Sequence, residues 1–400
     1  MSKKTLLLLG GSKAQLIAIR KASELGYRTV VCDYLPNNPG QHISDAFYLV
    51  STTDKEAVLE VAKKENINGI VAYGSDPAAP TAAYVSEKLG LPGVPSSIAD
   101  AFCDKHLFRC FLEEHGFNVP RSVSLEENEP TAIDDLEFPV IVKPTDSSGS
   151  KGVTVVESPC QLTAALECAF KKARHGRIII EEFIQRDHPF VIEAEIFVRN
   201  GQVSSWGLIN SIRDEETNPL LPAGYTLPLQ MDGYRLDLVR SEVSRLVEAS
   251  RVQYGAFNME MIIDKNDRLF FLDVGPRNGG NMLSEYISMA SGKDIVKATL
   301  KAAVGEYEDI DVEFDGRSAG YWGLSVLHAT KAGMFERICY NDKAKRALVR
   351  EELSVSPGNQ VNAFSICTDL VGLAFFHFDS FEHQVAVMGL DSHAVSVAVR

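Results

Sequence analysis

The chain has no apolar stretch near the roughly 18 residues of a membrane span, so a spanning helix is not expected. It has no excess of positive charge. Forty Lys and Arg stand against 54 Asp and Glu, a net charge of −14. That argues against nonspecific nucleic-acid binding, which needs a basic surface. It has no CxxC pair: Cys32, Cys103, Cys110, Cys160, Cys168, Cys339 and Cys367 are odd in number and scattered. No zinc or disulfide framework is visible, and unpaired thiols fit a reducing, cytoplasmic setting. Internal repeats and low-complexity tracts are absent too. The opening MSKKTLLLLGG has two lysines before an apolar run, yet Leu6–Leu9 is too short for a signal peptide and reads as a buried first strand.

What is present is ordinary globular composition, 45% apolar and 24% charged, over 400 residues. That length predicts roughly two to four domains.

The first hundred residues alternate strand and helix. TLLLLGG, RTVVCDY, AFYLVST and INGIVAYG read as strands, with helices over 13–25, 54–65 and 77–89. This rhythm implies an α/β, Rossmann-like layer with a parallel sheet. LGLPGVPSS at 89–97 marks a boundary. A region over 98–312 opens with a helix at 100–115, then mixes antiparallel strands with helices in an α+β layout. A third, β-rich region spans 313–400, with strand-like GYWGLSVL, VNAFSICTD and GLAFFHF.

Several segments carry chemistry. Gly10, Gly11 and Ser12 after the first strand, with Asp33 ending the second, imitate a dinucleotide fingerprint. The glycine spacing is wrong, and a tight turn explains it. Lys143 ends the apolar strand VIVKP, where it can meet phosphate or simply reach solvent. The loop DSSGSKGV follows; Ser147, Ser148, Gly149, Ser150, Lys151 and Gly152 form either an anion-binding nest or an ordinary hairpin loop. In IIIEEFI, Glu181, Glu182, Phe183 and Ile184 offer an apolar slot and a backbone edge for an adenine.

In VIEAEIFV, the period of two sets Val191, Glu193, Glu195 and Phe197 on one face and the aliphatic residues on the other. The paired acids accept from ribose hydroxyls, approach a metal, or form a solvated outer face. NMEMIID and RLFFLDVG read as a hairpin; with a loop at Lys265–Arg268, Glu260 opposes Asp273. Opposed carboxylates in apolar surroundings repel, and a divalent cation between them resolves it, Mg²⁺ with bridging phosphates fitting best. The following GPRNGGN places Arg277 where its donors suit a carboxylate or phosphoryl oxygen. Arg213, in the Pro-rich segment 210–230, grips a carboxylate or is solvated; His328 and His377 read as structural.

This order of parts resembles the ATP-grasp superfamily, the branch with biotin carboxylase, the purine-pathway ligases and L-amino-acid ligases. The resemblance covers residues 1–310 and implies a three-part architecture, with a small lid at about 115–185 within the 98–312 ATP-grasp domain. It implies that Lys105 and Lys143 bind ATP phosphates, with Ser148, Gly149, Ser150 and Gly152 closing over them. It places Glu181, Glu182, Phe183 and Ile184 at the adenine, Glu193 at the ribose and Glu260 and Asp273 at Mg²⁺, for which Mn²⁺ can substitute. Arg277 would offset charge on an acyl phosphate. Members have Glu in place of Asp273 and Asn in place of Gly275, which leaves the number of metal ions open. Dimers are common among members.

The expected activity is ATP-dependent amide formation between a small carboxylic acid, such as an amino acid, and an amine, through an acyl phosphate, releasing ADP and phosphate. The rival readings are a bicarbonate-using carboxylase, a nucleotide-binding module without catalysis, and, least supported, a dehydrogenase built on residues 10–33.

Overall fold

The computed structural model describes residues 3–127, 129, 135–214, 218–317, 319–390 and 392–400. Strands β1 (Thr5–Leu9), β2 (Arg28–Asp33), β3 (Ala46–Leu49) and β4 (Gly69–Val71) form a parallel sheet in the order β3-β2-β1-β4. Every residue of β1 is buried, as a parallel strand covered on both faces requires. Helices α1 (Leu16–Glu24), α2 (Lys55–Glu65) and α3 (Ala79–Leu89) make the connections expected from the sequence.

The helix expected over 100–115 is two helices, α4 (Ser96–Phe102) and α5 (Lys105–Glu114). Asp104 is the reason: its extended backbone stops one helix, and its side chain accepts from Leu107 N to start the next. The break sets Lys105 at the first turn of α5, where its backbone N–H donates to Thr145 O at 2.9 Å.

A second sheet holds β5 (Ser122–Glu126), β6 (Val140–Pro144), β7 (Thr154–Val156) and β8 (Arg177–Glu182), in the order β5-β8-β6-β7. Its pairings are antiparallel, and α6 (Leu162–Phe170) covers it.

The largest sheet is built from β9 (Val191–Arg199), β10 (Gln202–Asp214), β11 (Asn218–Leu227), β12 (Tyr254–Ile263) and β13 (Leu269–Gly275). Helices α7 (Gly233–Ser250), α8 (Leu283–Ser291) and α9 (Ile295–Ala303) accompany it. Beyond them come β14 (Tyr321–Leu327), β15 (Gly333–Tyr340), α10 (Asp342–Ala347), β16 (Leu348–Leu353), β17 (Gln360–Val361), β18 (Gly372–Phe378), α11 (Phe381–Met388) and β19 (Val395–Val399). The order β13-β12-β9-β10-β11-β14-β18-β16 shows that strands after residue 313 extend the same sheet. Strands β17, β15 and β19 make a small separate sheet.

Segment 210–230 is mostly strand, and its residues 215–217 lie outside the described ones. Register shifts around Arg213 accommodate Pro222, because proline is tolerated where a ladder is irregular. Of the strand expected in VNAFSICTD, only Val361 is in β17, and Cys367–Asp369 forms a 3₁₀ turn.

A solvated outer face on β9 is excluded. One face packs Ile192, Ala194 and Ile196 against Val239 and Val243 of α7. The other packs Phe197 against Leu283, Tyr286 and Ile287 of α8. Glu193 and Glu195 are therefore 3% and 1% exposed. Among the described residues, no helix is long and apolar enough to cross a membrane.

Candidate active site

Between the β5–β8 sheet and the largest sheet lies a cavity open to solvent. Lys143, Glu260 and Asp273, which the sequence leaves far apart, all line it. So do Lys105, Ser148, Gly149, Ser150, Glu181, Glu182, Phe183 and Ile184. Gly152, Glu193 and Arg277 do not.

Lys143 and Glu181 share a face of the antiparallel β6–β8 pair, on diagonal positions, since Ile141 opposes Glu181 and Lys143 opposes Ile179. Lys143 Nζ donates to Glu181 Oε2 at 2.6 Å. Arg109 of α5 completes the cluster: its Nε donates to Glu181 Oε1 at 2.6 Å, and its Nη1 and Nη2 to the carbonyls of Phe271 and Leu272. Burial pushes the Glu181 carboxyl up, but the Arg109 and Lys143 charges outweigh it and hold it at about 2. Burial lowers the Lys143 ammonium, with Glu181 opposing that shift. Glu181, expected at the adenine, thus also anchors the lysine. Arg109 was not singled out from the sequence. Its signal was there, four residues after Lys105 and so on the same helix face.

The loop after β6 curls over the cavity. Gly149 and Ser150 have positive φ, 66° and 56°. Lys105 Nζ donates to Ser147 O at 2.8 Å, and Ser150 Oγ donates to Leu220 O at 3.0 Å. A Cβ on Gly149 would collide with Cys367 Sγ, so the C-terminal region seats the loop. Gly152 has a positive φ of 74° as well, and a Cβ there would meet Lys172 Cβ at 2.9 Å.

At the far end, Ile184 packs with Val191, Ile262 and Phe270, a flat apolar slot. Phe183 N donates to Pro139 O at 3.1 Å, and Glu182 Oε1 accepts from Arg121 Nε at 2.7 Å.

Glu260 stands opposite Asp273 in the β12–β13 ladder and opposite Glu193 in the β12–β9 ladder. Three acids therefore lie in a row across adjacent strands. Arg213 answers part of that charge, its Nη2 3.3 Å from Glu260 Oε2, and it lines the cavity rather than facing solvent. Glu193 sits at the buried end; its Oε1 accepts from Asn258 Nδ2 at 3.1 Å and its Oε2 has no partner. Burial, then the Glu260 charge, pushes its carboxyl up to about 7. Burial also raises Asp273, the charges of Asp76 and Glu260 adding to it. Acids held up in this way fit a divalent cation. Among the described residues no three His, Cys, Asp or Glu side chains form a ready-made cage. A site on Glu260 and Asp273 would take its remaining oxygens from phosphates and water, the habit of Mg²⁺.

Arg277 lines a second cavity, between α3 and the β12–α9 side. It is tied to Asp76 and Asn258. Glu195, below it, accepts from Gly279 N at 2.9 Å and from Ser284 Oγ, and burial pushes its carboxyl up to about 8. The early glycine turn is structural: Asp33 Oδ2 accepts from Gly11 N at 2.7 Å, which occupies the acid a dinucleotide would need. His328 is held by Val326 O and Asp214, and His377 packs at a tilt against Trp322.

Residues 104–310 match the family described as the carbamoyl-phosphate synthase L chain, ATP binding domain. The formate-dependent phosphoribosylglycinamide formyltransferase of Haloquadratum walsbyi is 27% identical over 79% of this chain and 78% of that one. The L-amino acid ligase of Bacillus licheniformis superposes with a TM-score of 0.78 at 20% identity, over 100% of both chains. The phosphoribosylglycinamide synthetase of Anaerococcus prevotii does so with 0.75 at 20% identity, again over 100% of both.

Proposed function

The chain belongs to the carbamoyl-phosphate synthase L chain ATP-binding family, in the ATP-grasp superfamily, and on that premise we propose that it joins a small carboxylic acid to an amine at the expense of ATP. The observation that carries this reading is the meeting of Lys143, Glu260 and Asp273 around one cavity beneath a glycine–serine loop.

In this reading the adenine enters the slot made by Ile184, Ile262 and Phe270, and the backbone beside Phe183 reads its edge. Lys105 and Lys143 draw charge from the phosphates. Glu181 and Arg109 keep Lys143 from collapsing onto the acids across the cavity. Glu260 and Asp273 would hold Mg²⁺, which when bound supplies charge neutralisation between the terminal phosphates. The loop at 146–152 excludes water, which would otherwise destroy the acyl phosphate. The acid's oxygen attacks the terminal phosphorus and ADP leaves. The amine then adds to the activated carbonyl and phosphate departs; Arg277, which lines the neighbouring cavity but whose charge reaches Asp273, offsets the negative charge that develops.

A second reading changes only the acid. The similarity to a protein named formate-dependent favours testing formate, and the family's carbamoyl-phosphate synthase name favours bicarbonate. One screen decides. Amino acids, hydroxy acids, formate and bicarbonate are each offered with a set of amines, ADP release is followed, and products are read by mass spectrometry. We expect ADP release that needs both an acid and an amine and disappears in Lys143→Ala. Undiminished turnover in that variant, or ADP release indifferent to the amine, refutes the ligase reading.

A further inference from the structure

Strand β13 ends at Gly275, and two residues later Arg277 turns toward the parallel-sheet region. There Asp76, in the short turn after β4, meets it: Arg277 Nη2 lies 2.5 Å from Asp76 Oδ1. Arg277 Nη1 donates to Asn258 Oδ1 at 3.1 Å. The pair is 12% and 23% exposed, so solvent screens it only partly.

Gly275 is what gives this pair room. A Cβ built there would lie 2.5 Å from Asp76 Oδ1 and 2.7 Å from Arg277 Cζ. Gly275 is not among the glycines of positive φ, so its contribution is space rather than backbone freedom. Arg277 Nε lies 2.8 Å from where the Cβ would be, and it is buried without a hydrogen-bond partner. A side chain at 275 would stand where Asp76 and the guanidinium now stand, so the two positions exclude each other's alternatives.

We propose that Asp76 is a positioning residue for Arg277, and that Gly275 is its steric complement, the two together fixing where the guanidinium stands. With Nη1 held by Asn258 and Nη2 by Asp76, the guanidinium is fixed at two points, while its buried Nε–H lies against Gly275 without a protein partner. The parallel-sheet region thereby completes the site in the largest sheet with a single carboxylate. Asp76 acts through Arg277 and is not itself asked to touch the reacting atoms. This rests on the reading of Arg277 as the charge-offsetting group.

The test uses the full chain and the variants Asp76→Asn, Asp76→Glu, Gly275→Ala, Asp76→Ala and the double variant Asp76→Ala/Gly275→Ala. Turnover is ADP release from MgATP with hydroxylamine as the amine and amino acids, formate and bicarbonate supplied together as acids. Thermal unfolding midpoints are read in parallel. Asp76→Asn should lower kcat about 10- to 100-fold, the cost of a misplaced catalytic group, with KM for MgATP unchanged, and Asp76→Glu should recover part of the loss. Gly275→Ala should lower the unfolding midpoint, and Asp76→Ala should relieve much of that drop in the double variant while leaving kcat low. A folded Asp76→Asn protein with wild-type kcat overturns the proposal. So does a Gly275→Ala midpoint equal to wild type, or one that Asp76→Ala fails to relieve. Full turnover in Arg277→Ala would instead refute the role given to Arg277 in the proposed function, and the paired midpoints, which need no substrate, would still report on Asp76 and Gly275.

Discussion

Glu260 and Asp273 face each other across the β12–β13 ladder, and a bulge brings them there. From the turn, Ile263 pairs with Leu269, Ile262 with Phe270 and Met261 with Phe271. Continued unbroken, that register would oppose Glu260 with Leu272. Leu272 is instead the extra residue, and its carbonyl oxygen accepts from Arg109 Nη2 at 2.9 Å. A bulge re-aims the side chains beyond it. Here it turns two carboxylates toward each other beside a cavity that holds two lysines.

Removing either carboxylate should therefore remove turnover. Glu260→Gln and Asp273→Asn are each expected to lower kcat for ADP release by roughly 100-fold or more, the scale of losing one electrostatic clamp on a phosphoryl group. Manganese binding, followed by electron paramagnetic resonance with ADP present, should weaken in both. Tight manganese binding in the Asp273→Asn protein would show that the ion sits elsewhere.

Arg109 has two duties, holding Glu181 and taking the bulge carbonyls. Arg109→Met leaves Glu181 and Lys143 to each other and strands two backbone acceptors. Breaking a buried pair in this way costs about 3–5 kcal/mol, to be read from urea unfolding. Arg109→Lys should restore little, because an ammonium lacks the planar fork that reaches a carboxylate and two carbonyls together. A loss below about 1 kcal/mol, the scale of a surface pair, would refute this account.

Glu195 gives a pH dependence of stability. Its carboxyl is raised from 4.5 to about 8, with burial as the main cause. A group raised in the fold binds its proton more tightly there than in the unfolded chain. Stability is therefore greatest below about pH 4.5 and declines as pH rises toward 8, through the ionisation of this one residue. Glu195→Gln, which keeps the shape and removes the charge, should raise the unfolding midpoint relative to wild type at pH 9. It should change little at pH 5. Equal differences at both pH values would mean that the carboxylate is not the source.

The loop over the cavity should tolerate no side chain at 149. Gly149→Ala meets Cys367 and adopts a φ of 66°, a left-handed value that costs an L-residue about 1–2 kcal/mol. Turnover should fall. Cys367→Ala in the same chain should recover the steric part of that loss and leave the backbone part, while Cys367→Ala alone should be close to silent. No recovery in the double variant would mean that the contact with Cys367 does not matter.

Much of the site was legible in the sequence because it is written in strand ends. An apolar strand with Lys143 next to its end, a glycine–serine loop and a strand with Asp273 near its end each need only local pattern. The pairing of Glu260 with Asp273 was reached from a four-residue turn at Lys265–Arg268. The actual loop is one residue longer, Asp264–Arg268, and the bulge at Leu272 restores the count. A bulge leaves no mark in hydrophobic alternation, and neither does a partner helix such as α5.

The sequence by itself determined the parallel first sheet, the hairpin acids, the loop composition and the superfamily, because each depends on neighbours a few residues apart. Tertiary structure alone decided which charges meet. Arg109 reaches Glu181 across 72 residues, Arg213 lies against Glu260, and Asp76 takes the space that Gly275 leaves open. Electrostatic energy depends on distance and burial, and neither is fixed until the sheets have packed.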